Sequence, residues 1–152
     1  MSKKPVADSK KPVGVSKKPA VVSKKPAVVT GEPVIRWLSE PEEHDYPAAQ
    51  SYLSLVHDEE AARGYVEGLK RAAIVQYKAK DIFRASGLSL LGVSNSHVEK
   101  DRRKIVAGDS LSPLLLVRDT NTGRVVIVDG YHRMCAVYAI DEDAAIPRKI
   151  VS

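Results

Sequence analysis

The residues with the clearest chemical character lie in one short segment, positions 129–133, which reads Asp-Gly-Tyr-His-Arg and follows an apolar run. A glycine at a strand-to-helix turn lets the backbone approach a ligand closely. The helix predicted to begin here presents free N–H groups, and the positive end of its dipole, to an anion. Arginine in the first turn adds a planar fork that matches phosphate. The segment therefore predicts an anion-binding site formed by Gly130, Tyr131, His132 and Arg133.

Asp129 and His132 are the candidate catalytic residues of this segment. The aspartate could cap the helix, bind a metal ion or act as a base. Each residue also has a structural alternative. Asp129 could be a cap only, Gly130 an ordinary turn, and His132 the partner of a nearby carbonyl. Arg133 could pair with Asp141 or Glu142, at the end of its own helix, or with another acid. The residues alone leave these alternatives open.

No metal site is predicted from the sequence. His132 and Cys135 have a metal-like spacing, but two ligands out of four do not make a zinc site. The other histidines are scattered along the chain, at positions 44, 57 and 97. On the helix after the segment, one face carries Tyr131, Met134, Cys135 and Tyr138. Apolar and aromatic residues at this spacing predict core packing rather than a cofactor pocket.

The elements that must position the segment follow from hydrophobic periodicity and end signals. Ser96 and Glu99 fit a capping box at the start of one helix. Residues 78–91 are less regular, with breaks at Gly87 and Gly92. The predicted elements, in order, are helices at 47–56 and 58–70, a strand at 74–77, a helix from 96 to 107, strands at 113–117 and 124–128, a helix at 131–140 and a strand at 146–151. This order predicts an α+β fold with a small mixed sheet.

The N-terminal segment differs from the rest in composition. Ser-Lys-Lys-Pro occurs at 2–5, 9–12, 16–19 and 23–26, and Thr-Gly-Glu-Pro at 30–33 ends the series in register. Proline in every repeat opposes a coiled coil, and valine and alanine supply too little apolar surface to order the chain. The sequence predicts a disordered Lys/Pro-rich tail over residues 1–33 and a single α/β domain over residues 34–152.

The positive charge of the chain belongs to this tail. Residues 1–29 carry eight lysines and one acid, a net +7, while the remainder has 16 basic and 18 acidic side chains. A mobile lysine-rich arm could contact nucleic acid without sequence preference. The alternative is a tail that only improves solubility. The lack of an apolar stretch of 18 residues and of a signal-peptide pattern, together with a single cysteine, predicts a cytoplasmic protein without a membrane span.

The stretch from Lys78 to Val151 resembles the ParB/sulfiredoxin-like superfamily, with an expected core at about 74–152. The resemblance is carried by KIVAGDSLSP, LLLVRD, RVVIVDG, YHRMCAVYAI and IPRKIV, in that order. The whole body is similar to short uncharacterised bacterial proteins with an Asp-Gly-Tyr-His-Arg motif. In the superfamily a Gly-x-x-Arg element contacts the phosphates of CTP, ATP or ADP. The resemblance therefore implies that Gly130 and Arg133 bind a nucleotide, with Mg²⁺ as its companion.

Departures from the superfamily pattern restrict the expected function. Tyr131 stands where sulfiredoxins carry their reactive cysteine, so sulfiredoxin chemistry is not expected. No helix-turn-helix segment follows the core in this sequence, so a partition protein is not expected either. The main expectation is a nucleotide- or phosphate-binding domain, DNA-associated through its tail. The alternatives are a phosphotransferase or nucleotide hydrolase that uses the same turn, and a non-catalytic protein-interaction module. The oligomeric state is not predicted.

Overall fold

The computed structural model of the chain describes residues 33–152, and the predicted tail, apart from Pro33, lies outside the described residues. The described part is built of five helices and six strands. In chain order these are β1 (Arg36–Trp37), α1 (Asp45–Val56), α2 (Glu59–Arg71), β2 (Val75–Lys78), α3 (Ala79–Ser86), α4 (Ser96–Ala107), β3 (Ser110–Leu111), β4 (Leu114–Asp119), β5 (Arg124–Asp129), α5 (Tyr131–Ile140) and β6 (Ala145–Val151).

A four-stranded mixed sheet with the order β2-β6-β4-β5 forms the centre of the fold. β6 runs antiparallel to β2 and parallel to β4, and β4 and β5 form an antiparallel hairpin. β1 and β3 make a separate, two-residue parallel pair. The predicted α+β class with a small mixed sheet is confirmed.

Each face of the sheet is covered by helices. Leu114 and Leu116 of β4 pack into one cluster with buried residues of α3, α4 and α5. Leu115 and Val117 point to the opposite face and pack with α1 and α2. Side chains alternate between the two faces of a strand, so the apolar run of β4 is buried on both sides. The buried residues of α5 all belong to the first cluster, so α5 packs on that face of the sheet.

The structure adds three elements to those predicted, namely β1, α3 and β3. The helix α3 buries Ala79, Ile82 and Ser86 and ends at Gly87, whose φ of 68° is left-handed. The predicted irregularity of residues 78–91 was therefore wrong for its first half. Eight residues give barely two turns of apolar spacing, which is too short a signal for periodicity alone.

The predicted capping box at Ser96 was also wrong. Asn95 is the N-cap of α4, and its Oδ1 accepts hydrogen bonds from the N–H groups of His97 and Val98. Glu99 instead accepts hydrogen bonds from Arg102 and Arg103, which lower the pKa of its carboxyl to about 2. Because Glu99 pairs with these two arginines one turn later in the helix, its carboxylate does not make the backbone hydrogen bond that a capping box requires.

Among the described residues, no helix combines the length and apolarity needed to cross a membrane.

Candidate functional site

The site is built where β5 ends and α5 begins. Gly130 lies between them with φ 106° and ψ 15°. The first hydrogen bond of the helix joins the Met134 N–H to the Gly130 carbonyl at 2.9 Å. The N–H groups of residues 131–133 precede it and have no partner within the helix. α2 and α4 are capped by Asp58 and Asn95, whereas no side chain caps α5, nor α1 or α3.

Glycine is required at position 130 for space as well as for backbone conformation. A Cβ added there would lie 2.8 Å from Cγ of Leu114 and 3.0 Å from Nη2 of Arg133. Side chains other than glycine also rarely adopt a φ of this value. The backbone at Gly130 thus lies so close to the Leu114 side chain and the Arg133 guanidinium that a larger residue would overlap them.

Arg133 forms a buried ion network at the base of the site. Its Nη2 donates to Oδ2 of Asp129 at 2.9 Å and to the Pro113 carbonyl at 3.3 Å. The same nitrogen lies 3.8 Å from Oδ2 of Asp45. Nε of Arg133 is buried and has no hydrogen-bond partner among the described residues. Arg133 therefore pairs with acids, as one alternative expected, but these are Asp129 and Asp45 and not Asp141 or Glu142.

Asp129 is a partner of Arg133 and does not cap α5. Burial raises the pKa of its carboxyl, and the nearby charge of Arg133 opposes that rise. The negative charge of Asp45 raises the pKa further. Two carboxylates therefore share one guanidinium, and the ionised form of Asp129 is disfavoured relative to an exposed aspartate.

A cleft of about 160 Å³ opens at the start of α5. One wall is the predicted segment, and the other is α4. The lining residues are His97, Lys100, Asp101, Asp129, Gly130, Tyr131, His132 and Arg133. The structure therefore brings all five residues of the predicted segment to one cleft.

Titratable groups on the α4 wall face the segment. The rings of His97 and His132 lie 4.9 Å apart between centroids. Burial lowers the pKa of His132, and the neighbouring His97 lowers it further. Burial also raises the pKa of Asp101, which the charge of Arg133 partly offsets. Burial thus favours the neutral forms of both His132 and Asp101.

Sequence reasoning missed His97, Lys100, Asp101 and Asp45. The first three lie at i, i+3 and i+4 on α4, so they share one helical face, and that polar face was the available signal. Nothing in the sequence shows that this face turns toward α5. Asp45 lies 67 residues from Ser112 in the sequence and farther still from Asp129 and Arg133, so its role follows only from tertiary packing.

Tyr131 and Cys135 fasten the α3–α4 loop to α5. The Tyr131 hydroxyl donates to the Ser89 carbonyl, and the Leu91 N–H donates to Sγ of Cys135 at 3.5 Å. Cys135 is buried, and burial raises the pKa of its thiol. A buried thiol held mainly in its protonated form is a poor nucleophile. The prediction that this helical face is core is confirmed by the burial of Met134 and Cys135.

A second cluster lies in the turn that leads into α1. Within the described part of the chain, Glu42, His44 and Asp45 are the one group of three potential metal ligands whose donor atoms all lie within 4.8 Å of one another. His132 and Cys135 do not belong to such a group.

Comparisons of the chain with models of protein families, with curated proteins and with solved structures found no match.

Proposed function

We propose that the chain binds a phosphate-bearing ligand, a nucleotide, with its phosphate at the start of α5. The observation that carries this proposal is the uncapped helix start, which opens into a cleft. Unpartnered N–H groups and the helix dipole attract an anion at this place. The resemblance to ParB/sulfiredoxin-like proteins, carried by Gly130 and Arg133, supports a nucleotide over other anions.

Two positively charged side chains, those of Lys100 and Arg133, line the cleft at this helix start. Lys100 is exposed enough to reach a ligand. The guanidinium of Arg133 is held by Asp129, so it contributes charge and fixes the turn. Direct donors to a phosphate would be the backbone N–H groups of residues 131–133 and Nζ of Lys100.

The two acids of the cleft indicate how a nucleotide would bind. Asp101 and Asp129 reduce the positive charge around the helix start. A magnesium ion accompanying the nucleotide would offset them, because carboxylate and phosphate oxygens are its preferred ligands. The cleft is smaller than a typical ligand pocket of about 300–1,000 Å³. It therefore accommodates the phosphates, and the base would lie outside it.

Calorimetric titration with CTP, ATP, ADP and inorganic phosphate, with and without Mg²⁺, tests the proposal. We expect at least one nucleotide to bind, and Lys100→Ala to weaken it about tenfold, the value of one charge-assisted hydrogen bond. Lys104→Ala is the matched control, since it removes the same charge from the same helix one turn further along, outside the cleft lining. Both variants keep the lysine-rich tail, so its contribution cancels.

Two results would refute the proposal. The first is a parent protein that binds none of the four ligands under either condition. The second is an equal loss of affinity in Lys100→Ala and Lys104→Ala, because that result assigns the binding to general charge rather than to the cleft.

One observation favours a second candidate function, phosphoryl transfer or hydrolysis. Burial raises the pKa of Asp129 and lowers that of His132, and both groups line the cleft. These shifts bring the pKa values of a carboxyl and an imidazole closer together, which favours proton exchange between such groups. Shifts of this kind are common at catalytic sites. Release of inorganic phosphate from ATP or CTP that disappears in Asp129→Asn or His132→Ala would establish this function.

A further inference from the structure

The turn before α1 brings three potential metal ligands together. Nε2 of His44 lies 3.4 Å from Oδ1 of Asp45 and 3.7 Å from Oε1 of Glu42. At metal–ligand distances of about 2.0–2.2 Å, two ligands of one ion lie about 3–4 Å apart. The two distances from His44 therefore suit a shared ion, and the donor atoms of Glu42 and Asp45 lie within 4.8 Å of each other.

Asp45 is the buried member of this cluster. Its side chain is 4% exposed. Oδ2 accepts a hydrogen bond from Ser112 Oγ and faces Arg133. Oδ1 points to His44 and accepts no hydrogen bond from the described residues. A cation between Asp45, His44 and Glu42 would use this free oxygen of a largely buried side chain.

Ser112 fixes the geometry of two of the ligands. Its Oγ accepts a hydrogen bond from the Glu42 N–H at 3.0 Å and donates to Oδ2 of Asp45. The serine is buried just before β4. Partners of this kind orient metal ligands in many proteins and leave the ligating atom free. Here the free atom is Oδ1 of Asp45.

The excess of negative charge around Asp45 favours the binding of a cation. Asp45 and Asp129 are both largely buried and share the single guanidinium of Arg133. Glu42 adds a third carboxylate at the exposed edge of the cluster. Buried negative charge is normally paired or bound to a metal. His44 is exposed, so its imidazole is free to act as a ligand.

We propose that Glu42, His44 and Asp45 bind a divalent transition-metal ion. Imidazole with carboxylates suits Zn²⁺ or Mn²⁺, whereas Mg²⁺ and Ca²⁺ prefer oxygen ligands alone. Three protein ligands leave at least one coordination position to water or another small ligand. The proposal does not depend on the phosphate site at α5.

Calorimetric titration of the full chain with Zn²⁺, Mn²⁺ and Mg²⁺ tests the proposal. We expect one equivalent of Zn²⁺ or Mn²⁺ to bind more tightly than Mg²⁺. His44→Ala and Glu42→Gln should weaken binding at least about tenfold, since loss of even an outer partner costs that much. Glu43→Gln is the matched control because its carboxyl is adjacent in sequence and outside the cluster. Its affinity should equal that of the parent.

Two further variants separate this site from the histidines of the α5 cleft and test the role of Ser112. His97→Ala should leave the affinity for Zn²⁺ unchanged, and Ser112→Ala should lower it by about tenfold to a hundredfold. His44 and Glu42 are exposed, so these variants will fold. Three results would overturn the proposal: no tight Zn²⁺ or Mn²⁺ binding, equal affinities in Glu42→Gln and Glu43→Gln, or a loss in His97→Ala with His44→Ala unaffected.

Discussion

Nη2 of Arg133 donates a 2.9 Å hydrogen bond to Oδ2 of Asp129, the residue one helical turn earlier in the chain. This bond spans the turn at Gly130 and fastens the last residue of β5 to the first turn of α5. It also explains why Asp129 does not cap the helix, since its carboxylate faces the guanidinium. The helix start is thereby left open to the cleft.

Replacement of Arg133 should show how much this ion pair contributes to the stability of the fold. Arg133→Ala leaves Asp129 and Asp45 largely buried without their guanidinium, so the free energy of unfolding should fall by about 3 kcal/mol. Arg63→Ala, which removes an exposed ion pair with Glu59, should cost less than about 1 kcal/mol. Urea denaturation of both variants measures the difference. Equal costs would mean that Arg133 does not hold the network together.

Gly130 should be far less replaceable than a glycine of similar backbone conformation in open space. Gly108→Ala puts a side chain at φ 83° with nothing within 4 Å and should cost about 1 kcal/mol. Gly130→Ala adds an overlap with Leu114 and should cost about 1–3 kcal/mol more. Thermal unfolding of the two variants tests this order. A Gly130→Ala protein as stable as Gly108→Ala would show that the turn can relax.

The N-cap of α4 can be assigned by a pair of neighbouring variants. Asn95→Ala removes the acceptor for two backbone N–H groups and should cost about 1 kcal/mol. Ser96→Ala should have almost no effect, since the serine side chain is exposed and caps nothing. Denaturant unfolding compares the two. The opposite order would restore the capping box.

Asp101 should make stability depend on pH. Burial raises the pKa of its carboxyl, so the folded protein holds this proton more tightly than the unfolded chain does. The contribution of Asp101 to stability is therefore full below the unfolded pKa of about 3.9 and is lost as the pH rises through its folded pKa. Asp101→Asn should thus gain stability relative to the parent between about pH 4 and pH 7. Asp109→Asn, at an exposed position, is the control.

A difference between Asp101→Asn and the parent that does not change with pH would contradict this assignment. Denaturant unfolding at both pH values provides the measurement.

Most of the fold was predictable, because a long apolar periodicity indicates a helix or a strand whatever its tertiary contacts are. The two-sided burial of β4 and the amphipathic spacing of α2 both appear directly in the sequence. α3 and the cap of α4 were not predictable. A two-turn helix gives too short a pattern, and Asn95 and Ser96 are both good caps. Ser96 would form a capping box only with a free Glu99, and Glu99 instead pairs with Arg102 and Arg103.

The candidate site was predictable only along the chain. The segment 129–133 could be recognised because strand, glycine and helix follow one another without a gap. Asp45 and the α4 wall could not, because their contacts with Arg133 and His132 join residues far apart in sequence. The predicted contact of the tail with nucleic acid involves residues outside the described part of the chain and stays a prediction.

The most direct test of the phosphate site is a ¹H–¹⁵N spectrum of the labelled protein during titration with nucleotide and Mg²⁺. A phosphate bound at the uncapped start of α5 accepts hydrogen bonds from its first N–H groups. We therefore predict that the amide signals of Tyr131, His132 and Arg133 shift most, with smaller changes along α4. Shifts that leave these three amides unmoved while signals elsewhere respond, or a spectrum that does not change at all, would contradict the account.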